Sequence, residues 1–109
     1  MSDIQATIQE HVNSHAVVLY MKGNPSFPQC GFSGAAAKML AACDLSNDDF
    51  LAVDVLMNPD IREGIKAFAN WPTIPQLYIK GQFVGGADIM REMYQSGDLK
   101  TQLDAALGR

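Results

Sequence analysis

Apolar residues along this chain recur at two different spacings, and the switches between them outline the elements. Ile4, Ile8 and Val12 repeat every fourth position and predict an amphipathic helix over residues 3–13, ended by Asn13 and Ser14. The unbroken β-rich run "AVVLYM" at 16–21 reads as a strand buried on both faces. "KGNPSFPQ" at 22–29 is a loop punctuated by Gly23, Pro25 and Pro28. Small and unbranched residues then favour a helix over 30–42, with Phe32, Ala36, Met39 and Leu40 on one side. After the polar connection "DLSNDD", the run "FLAVDVL" at 50–56 predicts a second strand. Pro59 suits the first position of a third helix, whose apolar side carries Ile61, Ile65 and Phe68. "NWPTIP" at 70–75 is no regular element, because its two prolines break any ladder. "QLYI" at 76–79 and "FVGG" at 83–86 flank a tight turn and predict a hairpin. Asp88 is placed to cap a helix with Ile89, Met93 and Tyr94 inward, and "SGD" separates it from a last helical segment through Leu99, Leu103 and Leu107.

The predicted order is α-β-α-β-α-β-β-α-α. A right-handed β-α-β crossover followed by a helix and a hairpin is the order of a thioredoxin-like fold. The expected architecture is therefore α/β, with a central mixed four-stranded sheet flanked by helices. One domain is expected over residues 1–109, with no repeats. In this layout Cys30 stands between the end of the first strand and the head of a helix, where ligands of open α/β sheets bind.

Composition narrows the partners. With a net charge of -4, the chain lacks the clustered cations that nucleic acid or an anionic membrane surface requires. No apolar run approaches the roughly 20 residues of a membrane span. "MSDIQATIQE" does not read as a secretory signal or a transit peptide. The two cysteines, Cys30 and Cys43, then suggest a reducing compartment, and a cytoplasmic location is expected.

The commonest fate of a cysteine is burial as a small hydrophobe, and Cys43, at the end of an apolar helix, reads that way. Cys30 differs in its setting. Unpaired N–H groups and the dipole at a helix N-terminus favour a thiolate, which is the nucleophilic and metal-binding form. Lys22 adds positive potential, Gly31 leaves space beside the sulfur, and Ser33 is placed to donate a hydrogen bond one turn on. Where thiol–disulfide enzymes often carry a second cysteine, Ser33 stands instead, so a mixed disulfide on Cys30 has no neighbour to resolve it. Cys43 lies about 20 Å away along the helix. Resolution then falls to another thiol, for which glutathione is the abundant cytosolic candidate.

"MKGNPSFPQCGFS", "NWPTIPQLYIKG" and "FVGGADI" together resemble the monothiol glutaredoxins with a CGFS active site, over nearly the whole chain. The resemblance implies a glutathione site. Lys22 and Arg62 would take the glycine carboxylate. Thr73 and Ile74 precede Pro75, expected cis, and the Ile74 backbone would pair with the tripeptide as a short added strand. Gly86 to Asp88 would hold the γ-glutamyl end, with the N–H groups of Ala87 and Asp88 on its carboxylate and the Asp88 side chain on its ammonium. Ala87 stands where many relatives have Cys or Ser, which backbone contacts tolerate. The resemblance also implies a carrier of a [2Fe-2S] cluster. Such a cluster usually takes four thiolates. Cys30 from each of two chains and two glutathiones would supply them, so a cluster-bridged homodimer is expected. BolA-like proteins and apo iron–sulfur proteins are the implied partners.

Two other functions use the same chain. A glutathione-dependent oxidoreductase would employ Cys30 on protein–glutathione mixed disulfides, although the five-residue "NPSFP" insertion is a mark of the CGFS group and favours the carrier. An adaptor sensing iron through a partner is the other. His11 and His15 are spaced four apart, but the helix is predicted to end between them and no third metal ligand is nearby. Asp48 and Asp49 read as a solvated loop, with nothing apolar around them to shift a carboxyl pKa.

Overall fold

The computed structural model describes residues 3–109. In chain order its elements are α1 (Ile4–Ser14), β1 (Val17–Met21), α2 (Gly31–Ala42), β2 (Leu51–Asp54), α3 (Pro59–Ala69), β3 (Gln76–Ile79), β4 (Gln82–Gly85), α4 (Ala87–Ser96) and α5 (Asp98–Leu107). The four strands form one sheet in the order β2-β1-β3-β4. β1 runs parallel to β2, with Val18 opposite Leu51. It runs antiparallel to β3, with Val18 opposite Tyr78. The β3–β4 hairpin turns through Lys80 and Gly81, both at positive φ (52° and 78°), the backbone that a two-residue turn between twisted strands requires. This is the mixed sheet of the expected thioredoxin-like fold.

β1 is buried along its whole length because both faces of the sheet are covered. On one face Val17, Leu19 and Met21 join Leu40, Met90, Leu99 and Leu103 from α2, α4 and α5. On the other, Val18 and Tyr20 join Ile8, Val12, Ile61 and Ile65 from α1 and α3. Alternate residues of one strand thus serve separate cores, which is why "AVVLYM" shows no polar alternation. Truncating a fully buried side chain such as Leu19 to Ala costs about 2–5 kcal/mol.

The elements depart from the sequence reading at their ends. β2 stops at Asp54, not at residue 56, because the Asp54 carboxylate turns back to accept the Leu56 N–H at 2.9 Å. Cys30 is the extended N-cap of α2 rather than its first helical residue. Gly86 takes the N-cap of α4, and Asp88 lies in the first turn with no capping hydrogen bond, so the expectation that Asp88 caps this helix is corrected. Starting the helix at Ala87 also rotates its inward face. Ala87 and Met90 are buried and Met93 packs on the core, whereas Ile89 and Tyr94, expected inside, are exposed. Phe32 is likewise corrected: it stands 61% exposed, while Ala36, Met39 and Leu40 of the same helix are buried.

Candidate functional site

The site begins with the loop that leaves β1. Gly23 has φ 86°, and a Cβ there would meet the Phe27 carbonyl oxygen at 2.5 Å and the Gln29 nitrogen at 2.7 Å, so the position admits only glycine. Gln29 N–H donates to the Lys22 carbonyl at 2.9 Å and closes the loop at its base. Within it, Asn24 Oδ1 accepts the N–H groups of Ser26 and Phe27 at 3.0 and 2.9 Å, an Asx turn that reverses the chain. The loop thereby delivers Cys30 to the head of α2.

The Cys30 thiol is partly exposed, and its pKa is held below the ordinary 9.0. The Ser33 N–H is the main cause. Desolvation opposes it as the next-largest effect, and the Phe32 N–H, the Ser33 hydroxyl and the Lys22 charge each add a smaller lowering. Ser33 itself is fully buried, and its Oγ accepts the Lys22 N–H at 3.0 Å. The hydroxyl hydrogen is therefore left for the sulfur. The position where a second cysteine is absent instead stabilises the thiolate of the first.

Residues 70–75 form the facing wall. The Ile74–Pro75 peptide is cis. With prolines at 72 and 75 the segment is short of N–H donors for its own carbonyls. Gln76, fully buried, supplies them: its Nε2 donates to the carbonyls of Trp71 and Thr73 at 3.1 and 3.2 Å. The Tyr78 hydroxyl donates to Gln76 Oε1 at 2.9 Å and fixes the amide. Trp71 packs on Phe83 and Phe83 on Tyr78 in tilted ring pairs, each with centroids 5.5 Å apart, which ties the wall to the core.

Two further elements close the space. α3 presents Arg62 and, one turn on, Lys66. The N-terminus of α4 presents Gly86, Ala87 and Asp88, with the first N–H groups of a helix unpaired within it. All of these surround one cavity of about 400 Å³, within the usual range for small-molecule sites. The nine residues singled out in the sequence (Lys22, Cys30, Arg62, Thr73, Ile74, Pro75, Gly86, Ala87 and Asp88) all line it. Lys66, Phe32, Trp71, Pro72 and Ile89 line it too, and none was assigned a binding role from sequence. The signal for Lys66 was its position four residues after Arg62, which puts both cations on one helix face.

A glutaredoxin family model matches residues 17–84. Glutaredoxin 4 of Escherichia coli strain K12 is 49% identical over 100 residues, covering 92% of this chain and 84% of that protein. The chain belongs to the glutaredoxin family. The probable monothiol glutaredoxin GrlA of Legionella pneumophila is 51% identical over 90 residues, covering 83% of this chain and 98% of that one. The solution structure of reduced poplar apo GrxS14 superposes with a TM-score of 0.81 at 41% identity, covering 99% of this chain and all of that one. The chain is a glutaredoxin of the monothiol type, with Ser33 where a second cysteine would stand in the motif.

The second thiol of this glutaredoxin is of no use to the cavity. Cys43 is fully buried at the far end of α2, and burial raises its pKa. Among the described residues no group of three or more His, Cys, Asp and Glu is arranged to hold a metal ion. His11 Nδ1 lies 2.9 Å from the Tyr20 hydroxyl, and His15 Nδ1 lies 3.2 Å from the His11 carbonyl oxygen, so the two rings have separate partners. No helix of the described residues is long and apolar enough to cross a membrane.

Proposed function

We propose that this chain binds glutathione in the cavity and carries a [2Fe-2S] cluster as cargo, for transfer to apo iron–sulfur proteins. The observation that carries the reading is a single activated thiol lining a cavity that is also lined by the cations Lys22 and Arg62 and by the N-terminus of α4. Lys22 and Arg62 take the glycine carboxylate of the tripeptide. The backbone of Thr73 and Ile74, presented before Pro75, pairs with its cysteine residue. Gly86 lets the γ-glutamyl end approach closely, Ala87 and Asp88 bind its carboxylate through their N–H groups, and the Asp88 side chain takes its ammonium.

The donor set fits a shared cluster. One chain offers one accessible thiolate, and no further protein thiol or histidine lies in the cavity. The usual four thiolates are completed by Cys30 of a second chain and two bound glutathiones, which makes the loaded form a homodimer. When bound, the cluster is the transferable group. Cys30 supplies the protein ligand, and the cavity residues hold the small-molecule ligand beside it. A BolA-like protein in place of the second chain is the heterodimeric version. We place the protein in a reducing cytoplasm, where glutathione is abundant and both thiols stay free.

A second reading uses the same thiolate for exchange. Cys30 attacks the glutathionyl sulfur of a protein–glutathione disulfide and the protein thiolate leaves. A second glutathione then attacks the Cys30 mixed disulfide, so glutathione disulfide departs and the Cys30 thiolate is restored. The low Cys30 pKa suits it, but no second thiol stands within reach to drive a fast internal step.

The deciding experiment is anaerobic reconstitution with iron, sulfide and glutathione, followed by a visible spectrum and size-exclusion mass. Cluster absorption on a dimer, lost without glutathione and lost in Cys30→Ser, is the expected result. A colourless monomer with brisk glutathione-linked reductase activity replaces the carrier reading with the second.

A further inference from the structure

We propose that Asp54 is a positioning residue for carboxylate recognition: it clamps the peptide that follows Lys22 and so aims the Lys22 ammonium into the cavity. Lys22 sits between two peptide planes, and each is bonded on both sides. In the preceding plane the Met21 carbonyl accepts the Val55 N–H at 2.9 Å, and the Lys22 N–H donates to Ser33 Oγ at 3.0 Å. In the following plane the Lys22 carbonyl accepts the Gln29 N–H at 2.9 Å, and the Gly23 N–H donates to Asp54 Oδ1 at 3.0 Å. Of these four bonds, the one to Asp54 alone crosses from the loop to a side chain at the exit of β2.

Asp54 is itself held in place. The same Oδ1 accepts the Leu56 N–H at 2.9 Å, and the Asp54 main-chain carbonyl accepts Asn58 Nδ2 at 2.9 Å. Asp54 does not line the cavity, whereas Lys22 does. Its route to a ligand therefore runs through Lys22. Without a carboxylate at 54, the buried Gly23 loses its acceptor. The plane after Lys22 then keeps only its bond from the Gln29 N–H, so it is held on one side, and a long flexible side chain samples more of its conformers away from the cavity.

This inference rests on the reading of Lys22 as a partner of the glycine carboxylate. It separates from a purely electrostatic role of Asp54, because the acceptor oxygen matters here and the charge does not. The test is calorimetric affinity of the full reduced chain for two probes: glutathione, and glutathione esterified at its glycine carboxylate. Wild type is expected to prefer the free acid. Asp54→Ala should weaken glutathione about fivefold while changing the ester less than about twofold, since the ester gains little from Lys22. Asp54→Asn keeps an acceptor oxygen without the charge and should stay near wild type for both probes. Asp54→Glu keeps the charge but displaces the oxygen, and should resemble Asp54→Ala. It carries the test if the alanine variant does not fold. Equal losses for both probes indicate general disruption of the loop and overturn the proposal. So does an unchanged affinity in Asp54→Ala or Asp54→Glu. A wild type that binds glutathione and its ester alike removes the role of Lys22, and the proposal falls with it. A wild type that discriminates, beside variants that do so equally well, removes the role of Asp54 alone.

Discussion

At the N-terminal end of α2, Cys30 borders a cavity and receives the N–H groups of Ser33 and Phe32. At the C-terminal end, Cys43 is sealed among Leu40, Leu45 and Phe50, and its own N–H points back to the carbonyls of the last turn. The same side chain is a thiolate precursor at one end and a small hydrophobe at the other. Two physical differences account for this. A helix begins with free donors and ends with free acceptors, so its start favours an anion and its end does not. The start of α2 also faces outward from the strand ends, while its end is covered by the packed core. Burial there is the main cause that raises the Cys43 pKa, with the Asp104 and Asp44 charges adding to it and Lys100 opposing it.

The largest break in this comparison is Cys30→Ser. It should abolish alkylation by iodoacetamide in the native state at neutral pH, together with cluster formation, as read by intact mass and visible absorption. Cys43→Ser should leave both in place. The next effect runs the other way. Cys43→Ser buries a hydroxyl where a sulfur packed against apolar neighbours and should cost about 1–3 kcal/mol of stability. Cys30→Ser, at a partly exposed position, should stay within about 0.5 kcal/mol. Urea titration of both variants checks this, and equal losses would contradict the contrast between the two ends.

A smaller effect sharpens the account of the N-terminal end. Ser33→Ala removes the hydroxyl donor to Cys30 but keeps the backbone N–H, which is the larger influence. Alkylation of Cys30 at pH 7 should slow only about two- to threefold, with its pH midpoint moved up. A loss as large as that of Cys30→Ser would place the activation in the side chain instead. The smallest effect is in stability against pH, where the two thiols act with opposite sign. Cys30 has a lowered value in the fold, so between that value and the ordinary 9.0 the unfolded chain binds more protons, and this site makes stability rise with pH. Cys43 has a raised value, so from 9.0 upward the folded chain keeps its proton longer, and stability falls as pH rises. Unfolding midpoints of each serine variant against wild type across that range should differ in opposite directions.

The hairpin, the order of elements and the placement of Cys30 were legible because they rest on local rules: period, turn chemistry and helix termini. Local rules also marked "NWPTIP" as irregular. They did not show how its carbonyls are satisfied, because Gln76 reads as an ordinary first residue of a strand and is buried only by the packed fold. Asp54 was hidden in the same way. In the sequence it is one polar residue in an apolar run, and the fold brings it to Gly23, 31 positions away. Ile89, Tyr94 and Phe32 were misjudged for a related reason. Periodicity gives the spacing of an apolar face, but its phase depends on where the helix begins and what lies across from it.

By itself the sequence determined the family, the single reactive thiol and the residue types around it, since each depends on identity and short-range spacing. Only the tertiary structure decided that four separate segments close around one cavity. It also decided that a buried serine supports the thiol in place of a cysteine, and that Asp54 and Gln76 hold the two loops. Those outcomes depend on contacts between residues far apart in the chain, and such contacts form only when both faces of the sheet are covered and the ends of the strands and helices are brought to a common edge.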